Sequence, residues 1–294
     1  MVLKQKSIFF DITKKIMFLI FLLYAVTLVL PFVFMIINSL KGNDEFFSGN
    51  IWSFPKNLTF SNYVNAFLNF PTTGKIAGKT VEFNMISMLF VSLGITLATT
   101  FLNTLVASCL AYVLARYEFK GRTLIYSVII LVMVVPVIGT LPSKYKLMSN
   151  LHLIDNPIGL ILLYASGLGM PFFILYGFFK NISPGYIEAA FVDGATDAKA
   201  FFKIMLPIAR PTLVSVSVIY AIGIWNDYTT ASIFMKNIPT LAVGLRKMLV
   251  DLQHRAAFPE SFAAMAIALL PILIIFICFQ KTIMQNTVAG GLKG

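Results

Sequence analysis

The sequence predicts an all-α integral membrane protein with six transmembrane helices and both termini cytoplasmic. Three observations predict it. Of 294 residues, 58% are hydrophobic and only 12% are charged, with a mean hydropathy of +0.85; a soluble domain carries about 25% charged residues. The apolar residues fall into six runs almost free of charge, each near or above the roughly 20 residues a helix needs to cross the hydrocarbon core. Lys and Arg are scattered between those runs. In lipid every backbone polar group must be satisfied internally, so the runs read as helices.

The spans are predicted at 16–37, 85–115, 123–143, 156–179, 211–235 and 261–280. Residues 1–15 form a cytoplasmic N-terminal tail, 16–281 one transmembrane domain, and 282–294 a cytoplasmic C-terminal tail. The first run follows Lys14-Lys15 as a signal peptide would. It is too long for a signal core and lacks a small-x-small cleavage site, so it reads as a retained anchor. The second run is long for one untilted crossing, so it tilts or projects into water. Six spans put both termini on one side. That side carries 13 Lys and Arg in 67 residues and the other 10 in 84, which favours the cytoplasm. Lys14, Lys15, Arg116, Lys120 and Arg122 abut their spans most closely. Pro31, Pro136, Pro142, Pro171 and Pro271 lie in or beside spans and tend to kink them. The outer loop 38–84, with Phe54-Pro55-Lys56-Asn57-Leu58-Thr59 and the aromatics Tyr63, Phe67 and Phe70, reads as a small extramembrane cap. No internal repeat or second folded domain is apparent.

Several functions are disfavoured. The net charge of +11 is spread between apolar runs, as membrane anchors are, and does not mark a nucleic-acid surface. Cys109 and Cys278 sit in apolar runs and suggest no disulfide framework. His152 and His254 are isolated, so no metal-ligand spacing exists. Gly74-Lys75-Ile76-Ala77-Gly78-Lys79-Thr80 has three residues between its glycines where a phosphate loop needs four. No His, Cys or paired-acid constellation supports catalysis, so the chain reads as a non-enzyme. A secondary transporter or channel would favour intramembrane ionisable relays or inverted repeats. Asp227 alone interrupts a span.

One polar segment stands out between the fourth and fifth runs, on the predicted cytoplasmic side at 180–210. Pro184 opens a helix whose body runs from Tyr186 to Val192. Gly194 permits a sharp turn. A second short helix follows, with Phe201, Phe202, Ile204, Met205 and Leu206 as its apolar face, and Pro207 and Pro211 close it before the membrane. Such a protruding helix–turn–helix exposes apolar residues unless another protein covers them. Glu188, Asp193 and Asp197 offer acids to a partner's basic groups.

This segment resembles the coupling loop of importer-type ABC transporter permeases: Glu188-Ala189-Ala190, then Asp193-Gly194-Ala195, then Leu206-Pro207 and Pro211. Ala111 to Gly121 (AYVLARYEFKG), Met133-Val134-Val135-Pro136 and Trp225-Asn226-Asp227 are similar to further signatures of the carbohydrate-uptake permeases. The likeness is to the second permease subunit of the maltose-transporter type and covers most of the chain. Gly290-Gly291-Leu292-Lys293-Gly294 resembles the family's Gly-rich tail, with Leu292 in place of the more usual Val.

The resemblance implies a type I ABC importer permease fold. It also implies a homologous permease as heterodimer partner, two ATPase subunits, an extracellular solute-binding protein and surrounding lipid. ATP and Mg would be bound by the ATPase subunits, with no cofactor on this chain and no nucleic acid. The residues implied to dock the ATPase are Glu188, Ala189, Ala190, Asp193, Gly194, Ala195, Leu206, Pro207 and Pro211. In the tail, Gly290, Gly291, Lys293 and Gly294 would reach between the ATPase subunits. The loop 236–260, with Pro239-Thr240-Leu241 and Gly244-Leu245, would either reach into the binding protein or simply connect two spans. Trp225, Asn226, Asp227 and Tyr228 combine aromatic faces with polar edges, as a sugar path does, or serve structure and gating. The cargo expected is a saccharide. Glycerol phosphate or another polar solute is the alternative, disfavoured because no span holds an interior Lys or Arg to meet a phosphate.

Overall fold

The computed structural model describes residues 2–68, 72–76, 78–134, 139–254 and 256–289. Helices dominate. Among the described residues four are long and apolar enough to cross a membrane: Ile12–Ser39, Met85–Arg116, Asp197–Asn226 and Phe258–Lys281. Arg122–Val134 is shorter and also apolar. The chain divides into two compact units, Met1–Phe70 with Met248–Ile267, and Pro71–Lys247 with Ala268–Gly294.

In the first unit, α1 (Val2–Ser39) is one helix through and beyond the predicted 16–37 run, with Pro31 inside it. Its apolar side chains from Ile12 to Val33, Phe18 and Phe21 among them, are exposed, so lipid or protein must cover them. In the loop after α1, short helices α2 (Asn43–Ser48) and α3 (Ser61–Leu68) are fastened by polar side chains. Asn62 donates to the Ser39 and Lys41 carbonyls, both at 2.8 Å. The fully buried Lys41 ammonium donates to the Asn50 and Ile51 carbonyls, both at 3.1 Å. Phe34 packs edge-on against Trp52 and Phe262. A buried ammonium is tolerated because it is hydrogen-bonded.

The second unit departs from an all-helical chain at its start. β1 (Thr72–Ile76) and β2 (Lys79–Phe83) form an antiparallel hairpin, in register from Thr72↔Phe83 to Ile76↔Lys79. Thr, Ile, Val and Phe suit a pleated strand, and Gly78 takes a φ of +79° in the turn. The glycine-lysine segment that imitates a phosphate loop is this hairpin.

Helix α4 (Met85–Arg116) is the spine of this unit. Asn84 caps it, accepting from the Ser87 amide at 2.9 Å. Its buried positions Ser92, Thr96, Thr99, Asn103, Ala107 and Ala111 recur every three or four residues, the period of one helical face. Phe90, Leu97 and Phe101 point outward, each about two-thirds exposed. Small and polar inside with large apolar outside is the packing pattern of helices in lipid. Against this face lie α8 (Met170–Asn181) and α11 (Leu206–Asn226).

Four span predictions need correction. The predicted 123–143 span is α5 (Arg122–Val134), which ends early; α6 (Thr140–Asn150) then starts after Gly139, whose φ is +87°. Pro136 lies outside the described residues. The predicted 156–179 span is two helices, α7 (Pro157–Tyr164) and α8, with 165–169 non-helical. The freed backbone groups find neighbours: Asn103 Oδ1 accepts the Gly167 amide at 2.8 Å, and Tyr220 donates to the Tyr164 carbonyl at 2.6 Å. A helix break at membrane depth is tolerated on that condition. Pro142 and Pro171 sit in first turns, where the missing N–H costs nothing. The predicted 211–235 span is displaced: helix runs unbroken from Asp197 to Asn226, stops at Asp227, and resumes as α12 (Tyr228–Phe234). The predicted 261–280 span is helix Phe258–Ala289, which overruns it on both sides.

Candidate functional site

Helix α9 (Gly185–Val192) opens behind Pro184, whose carbonyl takes the amides of Ile187 and Glu188. Glu188 in its first turn suits the positive end of the helix dipole. The helix closes on Gly194, at φ +74°. The Gly194 amide donates to the Phe191 carbonyl at 3.0 Å and the Ala195 amide to the Ala190 carbonyl at 2.9 Å. These two bonds are a Schellman close, and its left-handed residue is the one that favours glycine. Thr196 then caps α10 (Asp197–Ala200), accepting from the Lys199 amide at 3.4 Å.

Pro207 and Pro211 were expected to end the second short helix, and they do not. Residues Phe201–Met205 form a π turn that passes straight into α11. Pro207 occupies the first turn of α11, and Pro211 lies inside it. A wider π turn accommodates a ring that would clash with the preceding turn.

The structure separates the predicted docking residues by role. Glu188, Ala189, Asp193 and Gly194 are exposed on α9 and its close, joined by the apolar Tyr186, Phe191 and Val192. Val192 is 88% exposed, which no monomeric core explains. Ala190 is buried and Ala195 half-buried. Leu206 packs against the core, and Pro207 and Pro211 are exposed on α11.

Beneath the exposed turn is an anchor the motif did not predict. Phe201 is buried, with its ring 4.8 Å from Tyr112 and 6.5 Å from Phe179. The Tyr112 ring also meets Phe179 and Tyr117, each at 5.6 Å. The Arg116 guanidinium donates to the Ile182 carbonyl, and Tyr117 donates to Asp197 Oδ1 at 2.7 Å. Burial, then the bonds to Tyr112 and Asp197, push the Tyr117 phenol far above its usual range, so it stays a proton donor.

At the predicted substrate path, Trp225 is buried, and Asn226 donates to the Ile222 carbonyl of its own helix at 2.9 Å. Asp227 caps α12: its Oδ1 accepts the Thr230 amide and its Oδ2 the Tyr164 hydroxyl, both at 2.9 Å. Tyr228 is exposed, with the Arg246 guanidinium 5.8 Å from its ring centre. A cavity of about 160 Å³ opens nearby, lined by Met170, Pro171, Ile174, Tyr220 and Gly223 among others, and almost entirely apolar. Asp227→Leu is expected to destabilise the protein by about 2 kcal/mol, from the lost cap and an orphaned Tyr164 hydroxyl. Asp227→Asn, which keeps one acceptor for the cap, should lose less than half of that. Thermal unfolding of the purified protein in detergent reads the difference, and equal losses would refute the capping role. Gly290, Gly291, Lys293 and Gly294 lie outside the described residues.

A family model described as the binding-protein-dependent transport system inner membrane component matches residues 104–287. The chain belongs to this family. It is a multi-pass inner-membrane permease subunit of a binding-protein-dependent ABC importer and is itself non-catalytic. A system of that kind works with a solute-binding protein and an ATPase. The permease is 30% identical to the diacetylchitobiose uptake system permease protein of Streptomyces coelicolor, over 92% of this chain and 85% of that one. It is 29% identical to the arabinooligosaccharides transport system permease protein of Bacillus subtilis, over 97% and 98%. A solved bacterial ABC transporter involved in import of the acidic polysaccharide alginate matches with a TM-score of 0.73 at 22% identity, over 92% of this chain and 96% of that one. The last likeness establishes the fold.

In this permease the signature at Ala111 to Gly121 acquires a physical meaning. Tyr112, Arg116 and Tyr117, all within it, hold the segment 182–201 against the end of α4. The signal was present in the sequence as three long polar or aromatic side chains ending an apolar helix.

Proposed function

We propose that the permease imports a saccharide, handed over by an extracellular binding protein, through six spans with both termini cytoplasmic. It pairs with a homologous permease, and two ATPase subunits that bind ATP and Mg drive the cycle. The 180–210 segment docks on an ATPase subunit through Glu188, Ala189, Asp193 and Gly194, with Ala190, Ala195, Leu206, Pro207 and Pro211 shaping the element behind them. The tail residues Gly290, Gly291, Lys293 and Gly294 reach between the ATPase subunits. Residues 16–281 form the translocating domain, flanked by tails 1–15 and 282–294. Trp225 and Tyr228 flank the substrate path, while Asn226 and Asp227 hold its shape.

The observation that carries the docking reading is an exposed, Gly-closed helix set on a buried aromatic base. Exposed Tyr186, Phe191 and Val192 fit an apolar groove, and the acids beside them fit basic residues at its rim. The saccharide reading rests on the relatives named for diacetylchitobiose and arabino-oligosaccharide uptake. A second reading, an anionic cargo, is favoured by two groups of cations: Arg246 over the Tyr228 ring, and Lys247, whose ammonium is lowered by burial and by the neighbouring charge of Lys236. Screening the cognate binding protein against neutral oligosaccharides, uronate oligosaccharides and glycerol phosphate decides between them. Tight binding of a neutral oligosaccharide alone is the expected result.

A further inference from the structure

The predicted docking set contains no residue of α4, yet the docking segment is tied to the end of that helix twice. Arg116 holds the Ile182 carbonyl, just ahead of α9. Tyr117 holds Asp197, just after the turn. Between these ties the exposed turn has little core: of α9 only Ala190 is buried, and Ile187 is half-buried against the aromatic base. A push on α9 would pivot the turn about its base unless both ends were fixed. The Phe201 ring against Tyr112 and Phe179 fixes one point on the trailing side; apolar ring contacts resist sliding but supply no directional bond. The Tyr117 hydroxyl adds a directional bond to a carboxylate, which is stronger than a neutral one. Tyr117 is itself braced, with its ring against Tyr112 and its hydroxyl 3.5 Å from that of Tyr112.

We infer that the Tyr117–Asp197 hydrogen bond is a coupling strut, a positioning pair that transmits movement of the docked α9 turn to α4. The inference rests on the docking reading above. Asp197, expected from the sequence to meet a partner's basic groups, has its Oδ1 engaged by the Tyr117 hydroxyl instead, so the pair is assigned to transmission and not to docking. α4 is the spine on which α8 and α11 pack, so motion delivered to its end reaches the core of the bundle.

The test uses the complete transporter, reconstituted in vesicles with its ATPase and binding protein, carrying Thr229→Cys at an exposed position in a background of Cys109→Ser and Cys278→Ser. Three readouts are taken: copurification of the ATPase, ATP hydrolysis, and the change in maleimide labelling at position 229 on adding ATP and vanadate. Tyr117→Phe and Asp197→Ala should each retain the ATPase through purification. Each should lower the labelling change per ATP hydrolysed about tenfold, the effect of losing one hydrogen bond to a charged group. The double variant should be no worse than either single one. Asp197→Asn keeps an acceptor oxygen and should restore most of the coupling. A wild-type labelling response in Tyr117→Phe overturns the strut. So does loss of the ATPase on purifying Tyr117→Phe, which would make the hydroxyl part of the dock, and so does Asp197→Asn behaving like Asp197→Ala. Failure of the docking reading looks different: Gly194→Asp would then copurify with the ATPase and respond normally, whatever Tyr117→Phe does.

Discussion

Gly194→Asp is expected to abolish transport while leaving the permease folded and in the membrane. The backbone at Gly194 has φ +74°, where a side chain costs about 1–2 kcal/mol, and Asp is among the residues that tolerate it best. A Cβ built there meets nothing within 4 Å. The substitution therefore neither overpacks the fold nor destroys the Schellman close. What changes is the exposed surface. A carboxylate is added beside Asp193 and at the negative end of α9, where anions are unfavourable. Pressed against a partner with no group to pair it, that charge carries a large desolvation cost. Gly194→Asn separates the two effects, being nearly the same shape without the charge. It should keep a substantial share of transport and of ATPase copurification, while the Asp variant loses both. Normal transport with coupled ATP hydrolysis in Gly194→Asp would sink the docking assignment.

The same glycine shows how legible the site was. A glycine closing a short helix is a local signal, so the turn at Gly194 could be read directly. What holds the turn could not. Phe201 looked like one residue of an apolar face, and only the fold brings Tyr112 and Phe179 to it. Pro207 and Pro211 were misread because a proline usually marks a helix end, and the π turn at Phe201–Met205 that carries the helix through them has no sequence signature. Asp227 interrupted an apolar run as a potential functional acid. Its two oxygens are engaged with Thr230 and Tyr164, and the helix break it caps was the part hydropathy could not show. Hydropathy also merged α7 and α8 into one run, because the residues of the break, Ala165 to Gly169, are as uncharged as the helices. The inward stripe of α4 was readable in principle. Its Ser, Thr, Asn and Ala recur at helical spacing, but an uncharged run marks a span without marking which face turns inward. The hairpin strands Thr72–Ile76 and Lys79–Phe83 are five residues each, too few for their β-branched pattern to stand out beside glycines and lysines.

Gly167→Ala is expected to be the most destabilising single methyl addition at the α7–α8 break. Two independent costs meet there. The backbone is left-handed, with φ +68°, which costs roughly 1–2 kcal/mol for an added Cβ. That Cβ would also lie 2.5 Å from Val106 Cγ1 and 2.9 Å from the Ala107 backbone nitrogen, a clash of the kind that costs about 1–3 kcal/mol. Moving the loop away to relieve it would strain the Asn103 bond to the Gly167 amide and leave a buried amide and carbonyl oxygen to find other partners. Together the loss is on the order of 2–5 kcal/mol, enough to reduce the yield of folded permease sharply. Gly139→Ala, at the start of α6, is the control. Its backbone is also left-handed, with φ +87° and ψ 8°, but nothing lies within 4 Å of its Cβ, so it carries only the backbone strain. Val106→Ala added to Gly167→Ala should recover part of the loss, because it removes Cγ1 and leaves the Ala107 nitrogen in place. Thermal unfolding in detergent, followed by the fraction eluting as monodisperse protein, ranks the variants. If Gly167→Ala and Gly139→Ala proved equally stable, α4 would not be packed against the break, and the Asn103 tie would lose its role in holding two half-helices as one membrane element.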